Sequence, residues 1–359
     1  MRGVVRADAQ WTNPLVDFRR ENIGSPLLPD EFMTAYLPLD LTGRRLAFRR
    51  AASAGVARAA AEREAQQRAL VMTVAQSWVR AALGSAALAI AADRRAALDS
   101  LARYDSTRAA EGAVAEVVAL RARLEADRAL VLEGQATAEA AGARAALARL
   151  LGRATDALGE LAPLPAPDAL PALPSTEVLV AEALARRADL RALRDGVRVA
   201  EARASAESRG VLPEWQVQAG SKRTSGFLTG QVGVLVPLPL FHRNDAARQR
   251  VRGELAIAQA ELADGEARVS AEVDAAVRSY AALVNAQPAR ASEFATRGAQ
   301  IATIIRTAYR EGGASLVELL DAERAAADAR LAGLRWAADI QLARLEVAFA
   351  RGTTVPELP

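Results

Sequence analysis

His242 is the only histidine in a chain of 359 residues, and there is no cysteine. Disulfides, thiolate nucleophiles and cysteine-held metals are therefore excluded. Zinc wants three or four N, S or O ligands, and no such cluster is written here. Ser-His-Asp catalysis would rest on His242 alone, and no G-x-S-x-G, P-loop, H-E-x-x-H or dinucleotide fingerprint occurs. The sequence predicts no enzyme, no cofactor and no metal site, and His242 reads as an interfacial side chain. The chemistry left is electrostatic. Glu318 and Asp321 lie one turn apart on a predicted helix. Most such pairs mark a solvated face. Repeated around an axis, they would form carboxylate rings that attract cations, repel one another and relax on protonation.

The elements that must carry these residues follow from composition and period. Alanine, leucine, arginine and glutamate dominate and aromatics are 4%, which favours long helices. The 46 basic and 43 acidic residues are intermixed without a polybasic run, so nothing argues for nucleic acid. No apolar run approaches the ~20 residues of a membrane-spanning helix. The start, "MRGVVRADAQW", shows no signal peptide. On these grounds alone the chain would be soluble and cytosolic, a reading that the element pattern opposes.

A phrase is written twice. "EGAVAEVVALRARLEADRALV" (Glu111 to Val131) and the segment from Glu311 in "YREGGASLVELLDAERAAADARL" align at an offset of 200, pairing Gly112 with Gly312 and Leu120 with Leu320. Both helices stop at a glycine, Gly152 and Gly352. Upstream, Pro38 sits over Pro237 and Pro14 over Pro213, at an offset of 199. This predicts a duplicated half-molecule unit: a first repeat over 1–152, a Pro-rich linker over 153–175 and a second repeat over 176–359. Each unit opens with a strand hairpin, 12–39 and 211–240, and continues as a long helical hairpin, 42–152 and 243–352.

In the second hairpin Trp215, Val217 and Ala219 alternate with Gln216 and Gln218, and Leu228, Val232, Val234 and Val236 oppose Thr229, Gln231 and Gly233. "SKRTSG" (Ser221 to Gly226) reads as the loop between them. In the first, Val16 and Phe18 alternate with Asp17 and Arg19, followed by a strand over Asp30 to Leu39. Thr42 to Thr107 holds no proline, which predicts a rod of roughly 95 Å. Asp245 to Arg310 reads as its partner, kinked at Pro288, with a coiled-coil seam at Leu255, Ala258, Leu262, Val269, Val273, Ala276, Tyr280 and Leu283. A short helix is expected over 175–187, and a longer one N-capped by Asp189. The glycine phrases are turns at the tips of the two helical hairpins. Trp11, Trp215 and Phe227 suit either an interfacial girdle or packing, while Trp78 and Trp336 suit helix packing.

Four strands cannot close a barrel, and an open sheet leaves unpaired edges. Small membrane barrels begin at about eight strands. Several copies giving four strands each would solve both problems, with the helices continuing the barrel as a tube.

With these motifs the chain resembles the TolC-like outer-membrane efflux proteins, in their heavy-metal CzcC/CusC-like branch. "WTNPLVDFRREN", "LPLDLTGRR", "RADL", "VPLPLFHRN" and "YREGGASLVELLDAER" occur in the family's order along nearly the whole chain. The resemblance implies a mainly α fold with two β-hairpins. It implies a homotrimer in the outer membrane of a Gram-negative bacterium, with a twelve-strand barrel continued by a periplasmic α-helical barrel. Such a protein is a passive exit duct that docks to a periplasmic adaptor and an inner-membrane pump, usually of the RND type. By position, Glu111, Gly112 and Ala113 would form one adaptor-contact tip, and Arg310, Gly312, Gly313, Ala314 and Ser315 the other. Tyr309, Glu318 and Asp321 match the family's aperture. Their first-unit counterparts include Val118 and Arg121, so no acidic ring is expected from that half. The family's first helix pair is largely missing here, through either a mis-assigned start or a truncation. The leading expectation is efflux of metal cations or small toxic compounds. A duct for type I protein secretion or organic-compound efflux, and a soluble coiled-coil scaffold, are the alternatives.

Overall fold

Alternation of polar and apolar residues is realised as a single antiparallel sheet. In the computed structural model, which describes residues 12–24, 28–165, 173–211, 214–241, 243–285 and 288–353, strands β1 (Leu15–Glu21), β2 (Asp30–Leu39), β3 (Trp215–Thr224) and β4 (Phe227–Leu235) lie in that spatial order. β2 and β3 join the two hairpins, with Thr34 opposite Gly220 and Leu39 opposite Trp215. One face carries Val16, Phe18, Met33, Leu37, Trp215, Val217, Leu228, Val232 and Val234, with Glu31 and Arg223 at its hairpin end; the other carries Asp17, Thr34, Tyr36, Gln216, Gln218 and Gln231, with Leu15, Phe32, Phe227 and Leu235 towards its ends. Gln231 donates to the Thr34 hydroxyl at 2.9 Å on the polar face. The apolar face is uncovered: Phe18 is 66% exposed and Val232 84%.

The second hairpin turns more tightly than expected. Ser221–Arg223 continue β3, and only Ser225 (φ 54°) and Gly226 (φ 88°) make the turn. Two residues with positive φ match the right-handed twist of paired strands, so register rather than polarity ends the strand.

The helices are α1 (Arg44–Ala110), α2 (Glu116–Leu151), α3 (Thr176–Arg186), α4 (Ala188–Arg209), α5 (Asp245–Asn285), α6 (Pro288–Arg310) and α7 (Leu316–Ala350), with a 3-10 turn at Thr155–Leu158. The expected kinked helix is two helices: α5 ends at Asn285 and α6 starts on Pro288, where a missing N–H costs nothing. Asp189 is not the N-cap of α4. Arg187 takes that place without a side-chain cap, and Asp189 lies in the first turn, with its carboxylate 2.7 Å from the Arg187 guanidinium. The dipole favours an acid there; burial would raise its carboxyl, but the bond and charge of Arg187 hold it below the usual carboxylate range. His242, Trp11 and residues 166–172 of the Pro-rich linker lie outside the described residues.

Two compact units emerge, each drawing on both sequence halves. One comprises Met1–Ala65 with Arg187–Arg268, the other Gln66–Arg186 with Val269–Pro359. In the first, the sheet meets a polar junction. Arg44 reaches the Glu207 carboxylate at 2.9 Å, and Asn244, with φ 58°, donates to the Glu207 carbonyl and carboxylate at 3.0 and 2.7 Å. In the second, helices pack through small residues. A Cβ on Gly84 of α1 would lie 3.2 Å from the Ala140 Cα of α2, and one on Gly298 of α6 3.3 Å from the Ala326 Cα of α7. Backbones this close need alanine and glycine. The same alanines make one stretch of α1 long and apolar enough to span a membrane by length and composition alone, although no unbroken apolar run is present. Trp78 packs on a cluster of Met72, Ala75, Val79, Ala338 and Leu345. The seam expected for α5 is nowhere fully exposed, and Val269, Val273, Ala276 and Tyr280 are buried.

The β2–β3 junction is sterically tight. A Cβ on Gly220 would strike the Met33 carbonyl oxygen and sit 2.9 Å from the Thr34 Cα, whereas one on Gly230 meets nothing within 4 Å. Gly220→Ala is expected to destabilise the fold by about 1–3 kcal/mol, and Gly230→Ala to stay within about 0.5 kcal/mol. Thermal unfolding followed by circular dichroism checks the pair; equal midpoints would refute the assignment of a shared, crowded seam.

Candidate functional site at the hairpin tips

The repeated glycine phrase folds the same way twice. After α1, Gly112 (φ 75°) donates to the Ala109 carbonyl and Ala113 to that of Arg108. After α6, Gly312 (φ 79°) donates to Tyr309 and Gly313 to Ala308. This pair of bonds closes a helix on a left-handed residue, which glycine adopts without strain. The same closure recurs at Gly152 and Gly352. Glu111, Gly112, Ala113, Arg310, Gly312, Gly313 and Ser315 are exposed, and Ala314 is half-buried against the apolar cluster behind it.

The two tips differ in how the next helix starts. Ser315 caps α7 through a reciprocal box. The Glu318 amide donates to the Ser315 hydroxyl, while the Glu318 carboxylate accepts from the Ser315 amide at 2.7 Å and its hydroxyl at 2.9 Å. These bonds hold the Glu318 carboxyl below its usual range. Ala115, at the same place before α2, offers no side-chain cap. Asp321 is exposed one turn on and has no ion pair among the described residues. Val317, Glu318, Asp321, Asp328 and Asp339 share the exposed side of α7. The α2 positions that align with Asp321 and Asp328 are Arg121 and Arg128.

Behind the tips lies a cluster of Leu98, Ala102, Ala122, Ala126, Ala129, Tyr309, Leu316 and Leu319. Tyr309 is buried in it, and its hydroxyl donates to Asp105 Oδ1 at 2.8 Å. Asp105 is 0% exposed, and its second oxygen has no partner. Burial raises the Asp105 carboxyl above its ordinary range; the Tyr309 bond and nearby Arg108 act the other way without overcoming it. Burial, then Asp105 itself, pushes the Tyr309 hydroxyl up. Sequence reading found Tyr309 but not Asp105, which aligns with Ile305 in the other repeat. Its signal was a charged residue on an apolar seam, three and seven residues beyond Ala102 and Leu98. Around the pair, Arg108 lies over the Tyr104 ring at 5.4 Å, and Arg306 bonds Glu323 at 2.8 Å. A cavity of about 270 Å³ opens between Leu98, Tyr104, Arg306, Tyr309, Arg310 and Glu323. Among the described residues no three metal-ligating side chains converge. A buried polar bond thus ties α1 to α6.

The family described as outer membrane efflux protein matches residues 179–353, a little under half of the chain. No curated protein is significantly similar in sequence. Among solved structures, one of CusC, described with the conformational changes that accompany folding and transmembrane channel formation, superposes with a TM-score of 0.77 at 20% identity, covering 98% of this chain and 86% of CusC. The outer membrane protein VceC of Vibrio cholerae gives 0.76 at 17% identity, with 99% and 90% covered. The open state of the Neisseria gonorrhoeae MtrE outer membrane channel gives 0.72 at 19% identity, with 98% and 83% covered. The chain thus has the fold of outer-membrane channel protomers along nearly its whole length.

Ionised Asp105 works against the fold because its native pKa is raised. Its contribution is most favourable below the ordinary carboxylate range and is lost as pH rises through the raised value. Asp105→Asn, whose amide oxygen still accepts from Tyr309, is expected to flatten the pH dependence of stability and to cost nothing at pH 7. Tyr309→Phe should destabilise by about 1–3 kcal/mol at pH 7 by orphaning a buried carboxylate. Unfolding midpoints from pH 4 to 8 for the three proteins are the check; a wild-type slope unchanged in Asp105→Asn would overturn it.

Proposed function

We propose that the chain is one protomer of a homotrimeric outer-membrane efflux duct, a passive conduit with no catalytic step. The observation that carries this reading is the sheet. Among the described residues it has four strands, two open edges, one uncovered apolar face and one largely polar face. Backbone groups on an open edge cannot face lipid unsatisfied. Three copies joined β1 to β4 would close twelve strands, turning the apolar face to lipid and the polar face to a water-filled lumen. The likeness to outer-membrane channels and the efflux family match support the same conclusion. So do uncovered apolar stripes at heptad steps, Val117, Leu124 and Val131 on α2 and Phe294 and Ile301 on α6, which suit helices of a neighbouring copy.

In this reading the sequence repeat reflects a duplicated unit, and the helical hairpins line a periplasmic conduit in a Gram-negative cell. Their tips, Glu111 to Ala113 and Arg310 to Ser315, meet a periplasmic adaptor of a tripartite system with an inner-membrane pump of the RND type. Asp321 from three copies forms the cation-attracting ring at the aperture. Tyr309 holds the hairpins closed from behind, and Glu318, engaged in its cap, sets the start of the helix that carries Asp321. Metal cations fit a ring of carboxylates and the CusC likeness. Organic compounds or a secreted protein remain the second reading, favoured by the breadth of the channels it resembles.

The test is reconstitution of the exported protein. It should behave as a detergent-requiring trimer and conduct in planar bilayers. Asp321→Asn should weaken block of that conductance by divalent cations by roughly tenfold per 1.4 kcal/mol of lost site energy. A monomer that stays soluble without detergent, with no conductance, would refute the duct.

A further inference from the structure

The net charge of the chain is small, but its distribution is not. Residues 40–50 and 241–252 carry eight arginines against two aspartates, a net +6 in 23 residues, while the whole chain has +3. The remainder is therefore net negative. These two segments follow β2 and β4, and the junction of Arg44, Glu207 and Asn244 gathers them at one end of the sheet. Glu207 engages Arg44, and Asp245 and Glu254 engage Arg248 and Arg250. Arg49, Arg50, Arg243 and Arg252 are exposed and have no ion pair among the described residues. Neither helix start gains from these cations, because the amide dipoles there favour anions.

Large apolar side chains stand beside them. Leu41, Leu238, Leu240 and Phe241 are all exposed, Phe241 at 98%. Trp215, paired with Leu39, marks the same end on the apolar face of the sheet. Apolar side chains with arginines just beyond them match a boundary where hydrocarbon gives way to headgroups. A second copy is a poor occupant, because every copy brings the same positive cluster to the same level.

We propose that this belt binds anionic phospholipid headgroups, of the phosphatidylglycerol class, in the leaflet that borders the helical end of the sheet. Leu238, Leu240 and Phe241 enter the acyl boundary, and Arg49, Arg50, Arg243 and Arg252 meet the phosphates. The belt fixes the depth of the sheet in the bilayer and enriches anionic lipid around it. The inference rests on the outer-membrane duct reading, where this leaflet faces the periplasm.

The test uses the complete chain with Trp215 as its sole tryptophan, Trp11, Trp78 and Trp336 being replaced by phenylalanine. It is reconstituted in phosphatidylcholine bilayers containing either brominated phosphatidylglycerol or brominated phosphatidylcholine. The brominated anionic lipid should quench Trp215 several-fold more effectively at low ionic strength, and the preference should fall with added salt. Combining Arg49→Gln, Arg50→Gln, Arg243→Gln and Arg252→Gln should abolish the preference while leaving trimer formation and conductance unchanged. Equal quenching by the two lipids in a conducting trimer would overturn the belt alone, as would a preference that survives the four substitutions or arginines found buried between copies. Failure to insert at all would count against the duct itself.

Discussion

An unsatisfied sheet edge governs this molecule. β1 and β4 each present backbone groups that no described strand pairs, and the sheet between them has one oily face that no described residue covers. In water such a surface invites aggregation. In lipid the oily face is at home, but the edges are more costly still. Closure with further copies relieves both at once. The tight β2–β3 seam at Gly220 makes the four strands one rigid staple instead of two loose hairpins.

The helical parts obey a different economy. Aromatics are few and alanines many, so helices approach to within backbone contact, as at Gly84 and Gly298. Contacts of that kind are individually weak and depend on regular spacing over many turns. Polar bonds then select the arrangement. Tyr309 and Asp105 pair inside an otherwise apolar cluster, and Arg306 with Glu323 and Arg95 with Glu133 lace its margins. A buried carboxylate with one oxygen unpartnered is a costly tie.

The two tips share a backbone and not a charge. Both close on a left-handed glycine with the same two bonds, yet α7 starts with a full capping box and displays acids where α2 displays Arg121 and Arg128. The segments after β2 and β4 are net positive, whereas the exposed side of α7 carries acids.

Much of this was legible in the residues. Period two fixed the faces of the strands, because a one-residue slip would turn every apolar side chain to the wrong side. Steps of three and four fixed the helices, and glycine at a constant offset fixed the turns, since only a left-handed residue closes a helix that way. Where local chemistry is ambiguous the sequence was silent or misleading. It placed a loop over Ser221–Gly226, of which Ser221–Thr224 belong to a strand, and a cap at Asp189, which lies in the first turn beside the Arg187 guanidinium. It did not find Asp105, because the partner of that carboxylate lies 204 residues away. Nor could it join the two hairpins into one sheet. Pairing of β2 with β3 and burial of Asp105 against Tyr309 are contacts between segments remote in the chain. No period or spacing encodes them, and only folding brings them within reach.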